Sequence, residues 1–561
     1  MKKSVSFIAA LLLTFSFAFS APAVYAENAG TTLFETSDSD DDYFQTSDDA
    51  FLVKINDDGT AEIMSYLLHE RSDVTVPAVL TAEDEVYIVT SIGEGAFYGS
   101  ETGYVIIPDT VESIGKGAFL NCPNLKEFVV PDSVESIGDC AFGFMYDEST
   151  DEISPIEEFR LYGYDEKKAS EYASSLGIKY ENASSLIRYS EYNGEMTLVS
   201  ADKRLHKANI PASIDGKPVT AIGAGLGGFT GCTYFGEITI PDTVRKIGSQ
   251  AFAGTALDEV ILPSGITEIG FGAFESCIWL VDITLPGGLT KIEKETFADC
   301  VNLEKIDLSD KITSIGDLAF FNCRSFKTFE IPSSVKSIGN HAFLSCSDLE
   351  RIKVSEDNKN YYDEDGVLFR QTNWAGGAVS KDLVKYPDNR EGEEYTVPSG
   401  IKSVSEAAFN GCRNLKRVKI SSGTEQLKEN AFSDSDSLES VTVPSSVWIM
   451  EKNFENCPNL TVYAEEAKAI KEFEEKWKKE LPLKIEYIKP ESTASKAVTG
   501  DVSGDGKVDI TDVSLLAVIL ADKQDMTSEQ RNAADVNKNG DVGLDDLAAI
   551  KQFVAKIIEK F

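Results

Sequence analysis

Histidine is the scarcest reactive residue in this chain: there are three in 561 residues, and His69, His206 and His341 lie in unrelated stretches. A His-based metal cluster therefore has no material, and no Ser-His-Asp order or phosphate-binding loop stands out. Basic residues are also short, 53 Lys and Arg against 93 Asp and Glu, for a net charge of −40. That balance argues against nucleic acid or an anionic membrane as a general partner and is silent on fold. Carboxylates are so abundant that composition alone leaves a glycosidase-like pair open. Long apolar runs are missing after the first 26 residues, where nothing approaches the roughly 20 apolar residues a transmembrane helix needs. The N-terminus itself has Lys2 and Lys3, an apolar run over 7–19, and small residues ending Val24-Tyr25-Ala26. This is the pattern of a secretory signal peptide, with cleavage expected after Ala26 or, as the alternative, Ala23. The mature chain is expected to be secreted, without membrane insertion.

What the chain does have is a period. Ser113-Ile114-Gly115-Lys116-Gly117-Ala118-Phe119 returns as Ser136-Ile137-Gly138-Asp139-Cys140-Ala141-Phe142, and again around Phe252, Phe274, Phe297, Phe320 and Phe343. Weaker copies end at Phe97, Phe229, Phe409, Phe432 and Phe454, and successive copies within each block lie 22 or 23 residues apart. A unit this short cannot bury its own apolar face and becomes stable only when neighbours stack on it. Leu303, Ile306 and Leu308 alternate with Glu304, Lys305 and Asp307, as a half-buried strand requires. The expected fold is a repeat solenoid with a parallel sheet along one side. Each unit has room for only one helical turn or a tight loop between its Ile and its Phe.

The repeat explains the cysteines. Eight of nine, Cys122, Cys232, Cys277, Cys300, Cys323, Cys346, Cys412 and Cys457, follow a repeat Phe by three residues, and Thr255 and Ser435 stand in the same place. Rungs lie roughly 5 Å apart, near enough for a disulfide, but parallel side chains suit its geometry poorly. The column is expected to be buried free thiols.

These units resemble the bacterial leucine-rich repeats of the BspA-like type, over most of residues 50–465. Between Phe142 and Phe229 the rhythm breaks. There, Phe159-Arg160-Leu161-Tyr162-Gly163-Tyr164, a helical run over 166–176 and Gly177-Ile178-Lys179-Tyr180 resemble the family's closing cap. A second such cap covers 462–487, so two modules are expected. Each opens with a hairpin, turning at Asp58-Gly59 and at Asn193-Gly194. The expected division is a signal peptide (1–26), an acidic disordered spacer (27–49), a first capped module (50–185) and a second capped module (186–488). A linker (489–499) and a C-terminal module (500–561) complete it.

The C-terminal module carries the most specific chemistry. Residues 501–512 form an EF-hand-like loop with oxygen donors Asp501, Ser503, Asp505, Asp509 and Asp512, the carbonyl of Lys507, and Gly506 at the sharp turn. A second loop offers Asp535, Asn537, Asn539, Asp541 and Asp546, each loop leading into a helical pattern, so two Ca2+ sites are expected. A duplicated loop with only its exiting helix, and Asp at position 12, resembles a type I-like dockerin. The resemblance implies a cohesin module of a scaffoldin as partner, contacted through Ile510 and Thr511 in one copy and Leu544 and Asp545 in the other. The copies differ, so the two faces need not take the same cohesin.

Strand positions of the second module turn from acidic to basic along the rungs, ending in Arg351, Lys353, Lys416, Arg417 and Lys419. That stripe is either a docking site for an acidic glycan or protein, or a solvated face balancing nearby acids. Together these features point to a non-catalytic binding protein of an extracellular fibre-degrading complex, its repeats holding an unidentified protein or glycan. The rivals are a surface-displayed adhesin or inhibitor and a polysaccharide-active enzyme.

Overall fold

The computed structural model describes residues 31–35, 43–82, 85–164, 168–223, 225, 227–373, 379–450, 452–465, 467–477, 484–488, 499–503, 507–522, 526, 528–537 and 541–558. The expected signal peptide, the Asp-rich run 37–42 and linker residues 489–498 lie outside the described residues. The chain forms two compact units. One is Met1–Glu391 with Ser405–Asn414 and Ala431–Ser435; the other is Gly392–Val404, Leu415–Asn430 and Asp436–Phe561.

The first unit is a solenoid with two hydrophobic cores. One gathers Ala50 to Ala173, the other Val129 to Leu368. The middle rungs repeat one arrangement. Glu259–Val260, Asp282–Ile283 and Lys305–Ile306 pair in parallel, each residue opposite its counterpart on the next rung. A second parallel ladder, not expected from the alternation, joins Lys291–Ile292, Ser314–Ile315 and Ser337–Ile338. Glycine follows Ser314–Ile315 and Ser337–Ile338, as it follows Glu268–Ile269, and marks where the strand stops. A Cβ on Gly316 would lie 2.5 Å from the Lys294 nitrogen, and one on Gly270 would lie 2.7 Å from that of Ser249.

The segment around each Phe is a third ladder rather than a helical turn. The amides of Leu318, Phe320 and Asn322 donate to the carbonyls of Asn340, Ala342 and Leu344 on the next rung, at 3.0, 3.0 and 2.8 Å. Amides committed to a neighbouring rung cannot make the i→i−4 bonds of a helix. Leu318 and Asn322, four residues apart, are left-handed, with φ of 55° and 58°. For a leucine that conformation costs about 1–2 kcal/mol, which the cross-rung bonds offset.

Phe252, Phe274, Phe297, Phe320 and Phe343 stack in a column, ring centroids 5.3–5.9 Å apart. Beside it, Cys277, Cys300, Cys323 and Cys346 each donate a thiol to the Phe carbonyl of the preceding rung, at 3.1–3.2 Å. Ser435 does the same to Phe409 at 2.9 Å, so the column selects a small buried donor rather than a disulfide partner. Burial pushes the Cys122 thiol up to about 12 and Cys277 to about 11, so both stay protonated.

The segment between Phe343 and Phe409 contains a three-stranded antiparallel excursion, Tyr361–Glu364, Val367–Asn373 and Val379–Lys385. It also hides a rung. Tyr386 takes the Phe place, stacking on Phe409 at 5.2 Å and donating its amide to Ala408. Lys385 occupies the Ala place, buried, with its ammonium 2.5 Å from buried Asp388.

Part of the expected spacer is strand. Thr31–Glu35 and Tyr43–Thr46 pair antiparallel, and the latter then pairs with Phe51–Ile55. The hairpin that opens a solenoid presents an unpaired backbone edge, and these strands cover it. Both caps are strand-helix-strand. Helix α1, Lys168–Leu176, lies between the parallel strands Arg160–Gly163 and Lys179–Asn182. In the second unit, α2, Lys468–Trp477, lies between Thr461–Glu465 and Lys484–Ile488.

Candidate functional sites: calcium loops and repeat faces

The C-terminal segment holds three helices, α3 (Ile510–Asp522), α4 (Ser528–Ala534) and α5 (Leu544–Ile558), packed around Val502, Leu516, Ile519, Ala534, Ile550 and Val554. Each loop is drawn onto the Asp in the first turn of the helix that follows it. Asp512 is buried and accepts the amides of Ser503 and Asp509, both at 2.8 Å. Buried Asp546 accepts those of Val536 (2.9 Å), Asn537 (3.3 Å) and Gly543 (3.1 Å). Asp509 caps α3 through the Thr511 amide at 2.7 Å, and that bond holds its carboxyl below the usual range.

The donor set fits calcium. The candidate donors among the described residues, from Asp, Asn and Ser side chains and the Lys507 carbonyl, are hard oxygens, and buried carboxylates such as Asp512 favour a nearby cation. Asp501, Ser503, Asp509, Asp512 and the Lys507 carbonyl would hold one ion; Asp535, Asn537, Asp541 and Asp546 would contribute to the other. Asp505 and Asn539 lie outside the described residues. Asn537 turns its amide to Asp545, at 2.7 Å. At the loop ends, Ile510 and Leu544 are 62% and 76% exposed rather than packed inward, with Thr511 and Asp545 exposed beside them.

The basic stripe is divided between the two units: Arg351 and Lys353 belong to one, Lys416, Arg417 and Lys419 to the other. Its charges meet glutamates on adjacent strands. Lys353 lies 3.4 Å from Glu330, Lys416 lies 2.6 Å from Glu393, and Arg417 lies 2.7 Å from Glu394. An acidic ligand there competes with these carboxylates.

A buried polar seam joins the two repeat series of the first unit. Arg204, 3% exposed, bonds both oxygens of Asp202 (2.9 and 2.8 Å) and Glu127 Oε2 (3.1 Å), and lies 4.7 Å over the Tyr104 ring. The Tyr104 hydroxyl donates to Asp202 at 2.8 Å. Burial opposes ionisation of Asp202, but Arg204 outweighs it and holds the carboxyl below its usual range. Val129, Tyr162 and Tyr164 of the first series pack into the second core, so part of the first module's strand face is already covered. Tyr162 and Tyr164, at positions where alternation with inward Leu161 would place polar residues, were the available signal.

His206 lies in this seam. Its amide donates to the Tyr164 hydroxyl, its ring stacks on Tyr234 at 6.1 Å, and its Nδ1 has no hydrogen-bond partner among the described residues. Burial pushes its pKa down to about 4, so the native ring is neutral. The unfolded chain takes up this proton near pH 6.5, the folded one only near 4. Stability is therefore lost at about 1.4 kcal/mol per unit as pH falls through that window. Denaturant titrations at pH 7.5, 5.5 and 4.5 should show a steep decline that His206→Phe flattens. Equal declines in the two proteins would refute a buried neutral imidazole. His341 is partly covered, with Nε2 3.2 Å from Glu406.

The chain matches the family model described as BspA type leucine rich repeat region, in six copies, over residues 88–161, 220–350 and 388–487, more than half its length. Residues 499–555 match the dockerin type I domain. No curated protein matches. Among solved structures, it is similar to a leucine-rich cell surface protein from Faecalibacterium prausnitzii A2-165. That pair has 22% identity, 76% of this chain and 89% of that chain covered, and a TM-score of 0.34. A leucine-rich repeat protein from Eubacterium ventriosum shares 25% identity over 51% of this chain and 72% of that one, with a TM-score of 0.32. One from Bacteroides ovatus shares 21% over 81% and 100%, also with a TM-score of 0.32.

Proposed function

Because the chain belongs to the BspA-type leucine-rich-repeat family and carries a dockerin type I domain, we propose that it is a secreted, non-catalytic subunit docked on a cohesin-bearing scaffoldin of an extracellular fibre-degrading complex. The dockerin implies cohesin-mediated assembly, and the repeats are a protein-binding scaffold. The observation that carries the reading is the pair Ile510 and Leu544. They hold equivalent places at the ends of the two loops, as the first residues of α3 and α5, and both are largely exposed. Apolar side chains held in solvent by a rigid loop are the anchors a protein interface uses. Calcium, when bound, neutralises the loop carboxylates; Asp512 and Asp546 then hold each loop against its helix.

The repeats are assigned a protein or glycan ligand, with 50–185 and 186–488 as the two repeat modules and 500–561 as the docking module. A pull-down on immobilised cohesins tests the assembly. Full-length protein should be retained with calcium and released by chelator, and a chain lacking residues 500–561 should pass through. Ile510→Asp combined with Leu544→Asp should weaken retention at least tenfold. Retention of the truncated chain, or calcium-independent retention, would refute docking through this segment.

A further inference from the structure

Cross-strand neighbours on the repeat faces are mostly matched in charge. Glu330 stands opposite Lys353, Glu394 opposite Arg417, and Lys246 opposite Glu268. Two pairs among the described residues of these faces are alike in charge: Arg160 stands opposite Lys179, where both cations reach Glu181, and Glu259 stands directly opposite Asp282. Like charges in register, on strands roughly 5 Å apart, destabilise a sheet. The next residue in that row is Lys305, in register with Asp282, but its ammonium turns to Asp307 at 2.7 Å. No side-chain hydrogen bond or ion pair reaches Asp258, Glu259 or Asp282 among the described residues. Asp109 adds to the excess: crowding by surrounding protein and the approach of Asp258 hold its carboxyl above the usual range.

The same face exposes apolar side chains that this fold has no need to expose. Ile261 is 77% exposed at a strand position where the next rungs carry Thr284 and Asp307. Val281, 39% exposed, adjoins Asp282. The favourable partner for two facing carboxylates interspersed with isolated aliphatic groups is a chain carrying the opposite charges and aliphatic groups of its own.

We propose that the strand face around Glu259, Ile261, Val281 and Asp282 docks a basic protein segment in which lysine or arginine alternates with aliphatic residues. This rests on the reading of the repeats as a protein-binding scaffold and names the chemistry of their partner. The cationic side chains sit within a Debye length of about 8 Å of both carboxylates, and relieving their mutual repulsion adds to the attraction. The aliphatic residues cover Ile261 and Val281, so binding has a part that salt does not remove.

The test uses the full-length protein with calcium and an octapeptide alternating Lys and Val, beside its Glu-Val counterpart, by calorimetry at two salt concentrations. Wild type should bind the Lys-Val peptide and not the Glu-Val peptide. The Glu259→Lys/Asp282→Lys variant should lose at least tenfold in affinity, and Ile261→Ser severalfold at both salt concentrations. Because the whole chain is acidic, Glu112→Lys/Glu135→Lys, with the same net charge on another face, is the control and should stay within twofold of wild type. Melting temperatures establish that all variants fold. No binding by wild type overturns the proposal, as do equal losses in control and face variants or an unaffected Ile261→Ser. Calcium-dependent cohesin capture by the same proteins is read separately, so failure of this face leaves the docking reading standing.

Discussion

Removing calcium should unfold residues 499–558 while the repeats keep their structure. Hydrogen exchange on the full chain, with and without chelator, is the direct measurement. The core of this segment is small, built on six buried side chains, among them Val502, Leu516 and Ile550. Domains of about 60 residues are marginal without a staple, and a metal absent from the unfolded state supplies its binding free energy to folding. Without the ion, Asp501, Asp505, Asp509 and Asp512 repel within one loop, with Asp512 held out of water. Amides of α3 and α5 should then exchange at rates near those of an unfolded chain, while amides around Phe320 stay protected. Unchanged protection in both helices would refute calcium as the staple. The first loop carries four side-chain carboxylates, whereas the second has neutral Asn537 and Asn539 among its donors. Affinity follows ligand charge and rigidity, so calorimetry should find the first site tighter.

Phe320→Ala should destabilise the first unit by about 3–5 kcal/mol, the range for emptying a buried aromatic site. Phe320 is fully buried, stacked 5.7 Å from Phe297 and 5.9 Å from Phe343, and its carbonyl accepts the Cys346 thiol. Rungs touch only their neighbours, so protection should be lost first between Phe297 and Phe343. Lys305→Ala removes an exposed side chain whose partner, Asp307, is itself exposed, and should stay within about ±0.5 kcal/mol. Denaturant titration of both variants decides; comparable losses would mean that the inward and outward faces are misassigned.

The sequence by itself determined the repeat and its inward residues. Phe320, Cys323 and Ile315 recur because each rung buries its own copy, so a period along the chain is also a column in space. The dockerin type I match over residues 499–555 was as legible, since its duplicated loops are runs of consecutive residues. Tertiary structure decided whatever depends on a residue of another rung. Leu318 is left-handed because its amide bonds Asn340, 22 positions on, which no local propensity for leucine would suggest. Lys385 and Tyr386 fill a rung with residues that share no letter with Ala-Phe, because the neighbouring rungs select for shape and a paired charge. Arg204 and His206 are buried because Tyr104, Glu127 and Tyr164 of the first module pack over them. The stripe at Lys416 and Arg417 reads as bare positive charge along the chain, yet Glu393 and Glu394 reach it from the strand before. Glu259 and Asp282 are unremarkable residues 23 positions apart until register places them side by side. Burial follows from local pattern, but electrostatics between rungs depends on register, which exists only once the coils have stacked.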